Sequence, residues 1–129
     1  MKKQILLLST VIVLLFIVSC KDNHESLKTE DEKKLRELYA DIQKMAQQFN
    51  CENAVDWKFT DIGSKACGGA TGFIAYSIKL DTAVFLQKVR SYTTQQAGFN
   101  KKWGVVSDCS LAIPPKSVTC DSGKPKFTY

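Results

Sequence analysis

One histidine is all that the chain of 129 residues offers. His24 stands in a polar stretch, KDNHESLK at residues 21–28, that carries no periodicity. A general base has to be held by a rigid frame within hydrogen-bond reach of its substrate. Serine–histidine and cysteine–histidine catalysis therefore lose their base, and a zinc site loses its histidine ligand. No CxxC pair is present, which removes a thioredoxin-like motif. A phosphate-binding GxxxxGK[ST] loop is also missing. Gly63 is followed five residues later by Gly68, but Gly69 occupies the lysine position and a strand pattern follows instead of a helix. Internal repeats are absent. The basic residues are scattered among acids, without the clustered patch and aromatic interleaving of a nucleic-acid binder, so nucleic acid is not an expected partner. No cofactor motif and no metal site are expected.

Long apolar runs are also scarce. The longest covers residues 5–18, interrupted only by Ser9 and Thr10 and preceded by Lys2 and Lys3. A membrane-crossing helix needs roughly 20 apolar residues, and here Lys21 and Asp22 bring charge immediately after Cys20. A charged start, a short apolar core and small residues before a cleavage point describe an export signal. Ile17-Val18-Ser19-Cys20 resembles the lipobox of bacterial lipoproteins. That resemblance implies acylation of the Cys20 thiol with diacylglycerol, cleavage before it, and acylation of the new amine with a palmitate-type chain. Two or more acyl chains turn marginal membrane binding into stable anchoring, at about 0.8 kcal/mol per buried CH₂. Lys21 after the cysteine resembles the sorting pattern for the outer membrane, and Cys20-Lys21-Asp22-Asn23 is similar to the acidic tether of surface-exposed Bacteroidota lipoproteins. The expected organisation is a signal peptide at 1–19, a lipidated cysteine and tether at 20–28, and one domain at 29–129, in the cell envelope and anchored to the outer membrane.

A mature chain of about 110 residues suits one domain with one core. Taking Lys2 and Lys3 from the 18 basic residues leaves 16 against 13 acids, so the mature net charge is +3. With Cys20 carrying lipid, Cys51, Cys67, Cys109 and Cys120 remain. Four cysteines in a small exported domain imply two disulfides and allow three connectivities. Cys67 and Cys109 both sit in turn-like Gly or Asp contexts at strand ends, which favours Cys67–Cys109 and leaves Cys51–Cys120.

Thr29 reads as an N-cap, with Glu32 completing a capping box. Leu35, Leu38, Ile42, Met45 and Phe49 then recur at spacings of three and four, one apolar face of a helix ending near Asn50. A second helix starts at Asp81, with Leu80 and Phe85 as its staple, buries Val84, Phe85, Leu86, Val89 and Tyr92, and stops at Gly98. Between the helices, Trp57 and Phe59 alternate with Lys58 and Thr60, and residues 73–78 read as a second strand. Residues 103–106 and 127–129 read as further strands, with Pro114-Pro115 barring a ladder between them. The order α-β-β-α-β-β predicts an α+β fold, a small antiparallel sheet of about four strands packed with two helices. Gly63 and Gly68-Gly69 flank the turn between the first two strands.

Candidates for chemistry are few. Ser77 and Lys79 share one face of a strand at i and i+2, and Ser64-Lys65 are adjacent; exposed polarity accounts for both. Glu52, Asp56, Asp61, Asp108 and Asp121 fall near strand ends, but a glycosidase pair needs two carboxylates across a cleft, and a chain of this length has little room for one. Asp108 is expected to hydrogen-bond a turn. An enzyme is not expected, with a small hydrolase as the third reading. The first reading is a non-enzymatic binding or accessory module whose partner is an envelope protein or ligand.

The second reading comes from CSLAIPPKSVTC, residues 109–120. Its first part resembles the reactive loop of Bowman–Birk serine protease inhibitors, Cys-Thr-x-Ser-x-Pro-Pro-x-Cys. The resemblance implies Leu111 as the residue filling the protease pocket, a scissile bond before Ala112, and a loop running through Ile113 and stiffened by Pro114 and Pro115. Ser110 and Ala112 depart from the family's threonine and serine, and the closing cysteine comes three residues late. Residues 51–120 as a whole resemble small exported proteins of Bacteroidota-like bacteria, sharing a tryptophan-containing strand, Gly-Ser-Lys-x-Cys-Gly-Gly, aromatic-Ile-Ala-Tyr-Ser and Ser-Asp-Cys. That resemblance implies the fold and the localisation and adds no mechanism.

Overall fold

The computed structural model describes residues 2–129, with side chains described from His24 onward. The side chains of Ile17, Val18, Ser19 and Cys20 lie outside the described residues. Helix α1 spans Lys2–Ala46 and α2 spans Thr82–Trp103; strands β1 (Trp57–Ile62) and β2 (Gly72–Ser77) precede α2, and β3 (Ser117–Asp121) and β4 (Lys124–Thr128) follow it. The chain divides into two units, Met1–Lys33 and Lys34–Tyr129. Among the described residues no helix is long and apolar enough to cross a membrane.

In the first unit, Thr29 does not start a helix. It lies inside α1, and its hydroxyl donates to the Glu25 carbonyl oxygen at 3.0 Å. Residues 24–28, read as an irregular tether, are helical as well. A threonine inside a helix can bond backward to the carbonyl four residues earlier as readily as it can cap a helix start.

The second unit is α+β, and its strands form two separate hairpins where one four-stranded sheet was expected. In the first hairpin β1 and β2 run antiparallel, with Trp57 opposite Ser77, Phe59 opposite Ala75 and Thr60 opposite Ile74. Side chains alternate between the two faces of a strand, and both faces of this hairpin are covered. Ile62, Ile74 and Tyr76 pack with Ile42 and Ala46 of α1 and Phe85, Val89 and Tyr92 of α2. Trp57, Phe59 and Ala75 point the other way, against Val118, Cys120 and Phe127 of the second hairpin. The first hairpin is thus the middle layer between the helices and the second hairpin. Phe85 and Ile42 are completely buried, and each such side chain stabilises by about 1.5–3 kcal/mol. Tyr76 and Phe85 stack with ring centres 4.9 Å apart, while Phe59 meets Phe127 edge-on at 6.1 Å across the hairpins.

The second hairpin corrects the sequence reading on two points. Residues 103–106 form no strand: Trp103 ends α2, and an irregular stretch runs to residue 116. The third strand is β3, paired with β4 so that Val118 faces Phe127 and Cys120 faces Pro125. Ser122 and Gly123 join them at φ 51° and 76°, the two positive values of a type I′ turn, whose twist matches the strands. Such a turn closes on the Asp121–Lys124 pair. The next pair, Cys120–Pro125, is then a non-hydrogen-bonded one, where proline's missing N–H costs the ladder nothing.

Helix α2 starts where expected. The Asp81 carboxylate accepts from the Val84 N–H at 3.1 Å, and Leu80 and Phe85 are both buried. It does not stop at Gly98. It continues to Trp103 and ends at Gly104, which takes the left-handed conformation and donates its N–H to the Asn100 carbonyl. Lys101 and Lys102 in that last turn lie where the helix dipole favours positive charge. The added turn puts Asn100 on the same face as Thr93 and Gln96, and that face builds the site.

Candidate functional site

Three side chains of α2 grip the turn between β1 and β2. Thr93 Oγ1 accepts from the Gly63 N–H at 3.0 Å, Gln96 Oε1 accepts from the Ser64 N–H at 2.8 Å, and Asn100 Nδ2 donates to the Ser64 carbonyl at 2.8 Å. Spacings of three and four place them in one row on the helix. Gly63 is required here twice over. Its φ is +79°, and a Cβ would collide with Thr71 Oγ1 and come within 2.6 Å of Gln96 Oε1. The far end of the turn closes on itself, Lys65 N–H to the Gly69 carbonyl at 2.9 Å and Gly68 N–H to the Lys65 carbonyl at 3.1 Å.

The turn in turn holds the stretch after α2. The Lys65 ammonium donates to Asp108 Oδ1 at 2.9 Å, to the Ser110 carbonyl at 2.6 Å and to Ser110 Oγ at 3.1 Å. Ser110 Oγ donates to Asp108 Oδ2 at 2.6 Å, and the Ala66 N–H donates to Ser107 Oγ at 3.1 Å. The Ser110 hydroxyl, followed by Lys65, holds the Asp108 carboxyl below its ordinary range. Asp108 does bond within its own turn, as expected, and the long-range partner Lys65 is what the sequence reading missed.

Cys67 and Cys109 meet in this cluster. Of the four cysteines, Cys51 and Cys120 are bonded, with α-carbons 5.3 Å apart, whereas Cys67 and Cys109 are exposed free thiols. Two bridges were expected, and one is formed. Cys67 Sγ also lies 3.5 Å from Ser107 Oγ and 3.5 Å from the Asp108 carbonyl oxygen. Hydrogen bonds from Cys109 and then from Ser107 lower the Cys67 pKa, with the Lys65 charge adding to them. Cys109, which gives its hydrogen to Cys67, is shifted up. The pair therefore loses its first proton more easily and its second less easily than isolated thiols do.

From Gly104 to Lys116 the chain carries large apolar side chains into solvent. Val106 is 90% exposed, Leu111 84% and Ile113 72%; Pro114 is exposed, Ala112 half-buried and Pro115 buried. The stretch is fixed at its start by the Gly104 cap and the Lys65 cluster. At its end Lys116 donates its N–H to the Thr128 carbonyl at 2.8 Å. Cys109 and Cys120 do not close it on each other, because Cys120 is joined to Cys51.

The remaining candidates are not assembled into a catalytic group. Ser77 is buried, and its hydroxyl accepts from the Lys79 backbone N–H at 3.2 Å, while the Lys79 ammonium pairs with Asp56 at 3.0 Å. Ser64 Oγ turns to the Lys65 carbonyl. Asp121 pairs with Lys126. Two open depressions in this unit measure about 340 Å³, at Phe49, Asn50 and Lys124, and about 450 Å³, at Asp61, Arg90 and Thr94. Neither is lined by two carboxylates. Groups of three or more metal-ligating residues do not occur among the described residues. No family model, no curated protein and no solved structure matches the chain.

Proposed function

We propose that the protein is a lipid-anchored, non-enzymatic module of the cell envelope that presents residues 104–116 to an envelope partner. The observation that carries this reading is the exposure of Val106, Leu111 and Ile113 on a segment fastened at both ends. Large apolar side chains held in solvent are a cost in a monomer and a gain when a partner covers them. Fastening lowers the ordering cost of that event. The anchor rests on Ile17-Val18-Ser19-Cys20 and the charge that follows it. The test is made on the full chain in its envelope. A photo-crosslinking residue at Leu111 should give one defined adduct, and Ile113→Asp should remove it without lowering the melting temperature. Cys20→Ser should abolish lipid labelling and processing. An unchanged adduct in the Ile113→Asp protein, or normal lipid labelling without Cys20, contradicts the reading.

A second reading is favoured by one observation. Leu111, the residue that the Bowman–Birk resemblance implies for a protease pocket, is 84% exposed. Burial there would have removed an inhibitor from consideration. Under this reading the loop draws its stiffness from Pro114-Pro115 and from the Lys65 cluster, since its two flanking cysteines do not pair with each other. Burying a leucine in a pocket contributes about 1.5–3 kcal/mol. Leu111→Asp should then abolish stoichiometric inhibition of a chymotrypsin- or elastase-like enzyme, and Leu111→Lys should redirect it to a trypsin-like one.

A further inference from the structure

Cys51–Cys120 and Cys67/Cys109 differ in environment. Cys51 is buried with Trp57 and Val118 in the seam between the hairpins, and its partner Cys120 is half-buried against them, so the bridge is less open to an attacking thiolate. Cys67 and Cys109 are exposed, and the hydrogen bonds of Ala66 and Cys67 to Ser107 and Asp108 join the turn at 63–71 to the segment at 104–116. Those contacts are hydrogen bonds and one ion pair that water competes for. A bond between the two sulfurs would fasten the same place covalently.

We infer that Cys67 and Cys109 form an exchangeable disulfide, a redox clasp whose state sets how tightly the presented segment is held to the frame. The oxidant is an organic disulfide, either a small molecule such as glutathione disulfide or the active-site disulfide of an oxidoreductase. Cys67 releases its proton to solvent. The Ser107 hydroxyl at 3.5 Å and the neighbouring Lys65 ammonium support the thiolate. The thiolate attacks one sulfur of the oxidant, forming a mixed disulfide and expelling one thiolate, which takes up a proton. Cys109, which follows the Asp108 carbonyl that lies 3.5 Å from Cys67 Sγ, gives up its proton and attacks Cys67 Sγ. The second thiolate leaves and is protonated. Two protein thiols become one disulfide, and the two electrons they lose reduce the oxidant to two thiols. A dithiol reverses each step. The clasp chemistry stands apart from the proposed function; only its effect on partner binding rests on that reading.

The test is a redox titration of the full chain in mixtures of reduced and oxidised glutathione, followed by acid quenching, alkylation and peptide mapping. The expected result is joint loss of the Cys67 and Cys109 thiols as one linked pair, reversibly, while Cys51–Cys120 stays closed throughout. Cys67→Ser and Cys109→Ser, both at exposed positions, should each trap a glutathione adduct on the remaining cysteine. Cleavage within residues 105–113 by a nonspecific protease should slow by about fivefold or more on oxidation, because proteolysis follows the open population of a segment. Persistent glutathione adducts on both cysteines of the unmodified sequence, or opening of Cys51–Cys120 at the same glutathione ratio, would overturn the clasp. Equal cleavage rates in the two states would overturn its control of the segment.

Discussion

Two connections, residues 63–71 and 104–116, meet at one place and are built on different principles. The first gives its backbone to α2: the Gly63 and Ser64 amides and the Ser64 carbonyl all end on Thr93, Gln96 and Asn100. The second makes only exposed backbone contacts between its ends, the Ser110 carbonyl with Lys65 and the Asp108 carbonyl with Cys67, and turns Val106, Leu111 and Ile113 to solvent. A segment whose polar groups are satisfied by a helix moves only when the helix moves. A segment held through exposed contacts, as residues 107–110 are by Lys65 and Ala66, can be released without unfolding the core. The frame is therefore in the first connection, and the adjustable part is in the second.

The largest expected effect comes from breaking the frame. Gly63→Ala has to leave the left-handed region and displace Thr71 and Gln96. Left-handed strain and overpacking together should cost about 2–4 kcal/mol, read as a lower urea midpoint at unchanged slope. Asn100→Ala should cost less, about 1–2 kcal/mol, by leaving the half-buried Ser64 carbonyl without its donor. Both should also speed proteolysis of residues 105–113, because the second connection hangs on the first. A substitution in the frame that leaves that segment unaffected would break the comparison.

The smallest effect is a pH dependence. Ser110 and Lys65 depress the folded pKa of Asp108, so its contribution is present above the unfolded value near 3.8 and is lost as pH falls through the folded one. Below that range the segment should be cleaved faster and the global melting temperature should barely respond, since Asp108 is 74% exposed and its ion pair is a surface one. Asp108→Asn should remove the pH dependence of cleavage.

Much of the fold was legible in local chemistry, and the misses have local causes. Asp81 with Leu80 and Phe85 marked the start of α2 because a cap and a staple act within one turn. Its end was misplaced because two glycines compete: Gly98 tolerates the helix interior at a cost of about 1 kcal/mol, and Gly104, preceded by Lys101 and Lys102, is the true cap. The strand β3 was missed although Val118 and Cys120 alternate with Thr119 and Asp121 and Ser122-Gly123 supplies the turn. One sheet was expected and two hairpins form, separated in the chain by α2 and the irregular residues 104–116. The site was the least legible part. Lys65, Ser107, Asp108 and Ser110 belong to no shared periodicity, and only the cysteine pairing hinted that residues 67 and 109 are neighbours.

Hydrogen exchange on the full chain, resolved to short peptides, tests the division into frame and presented segment most directly. The account predicts that the amides of Gly63, Ser64, Lys65 and Thr71 exchange only with global unfolding. Those of Val106, Leu111 and Ile113 should exchange near the rate of an unstructured peptide under dithiol and more slowly after oxidation. Protection of Leu111 and Ile113 equal to that of Ser64 under dithiol would contradict it, because the segment would then be part of the frame and not a surface held out to a partner.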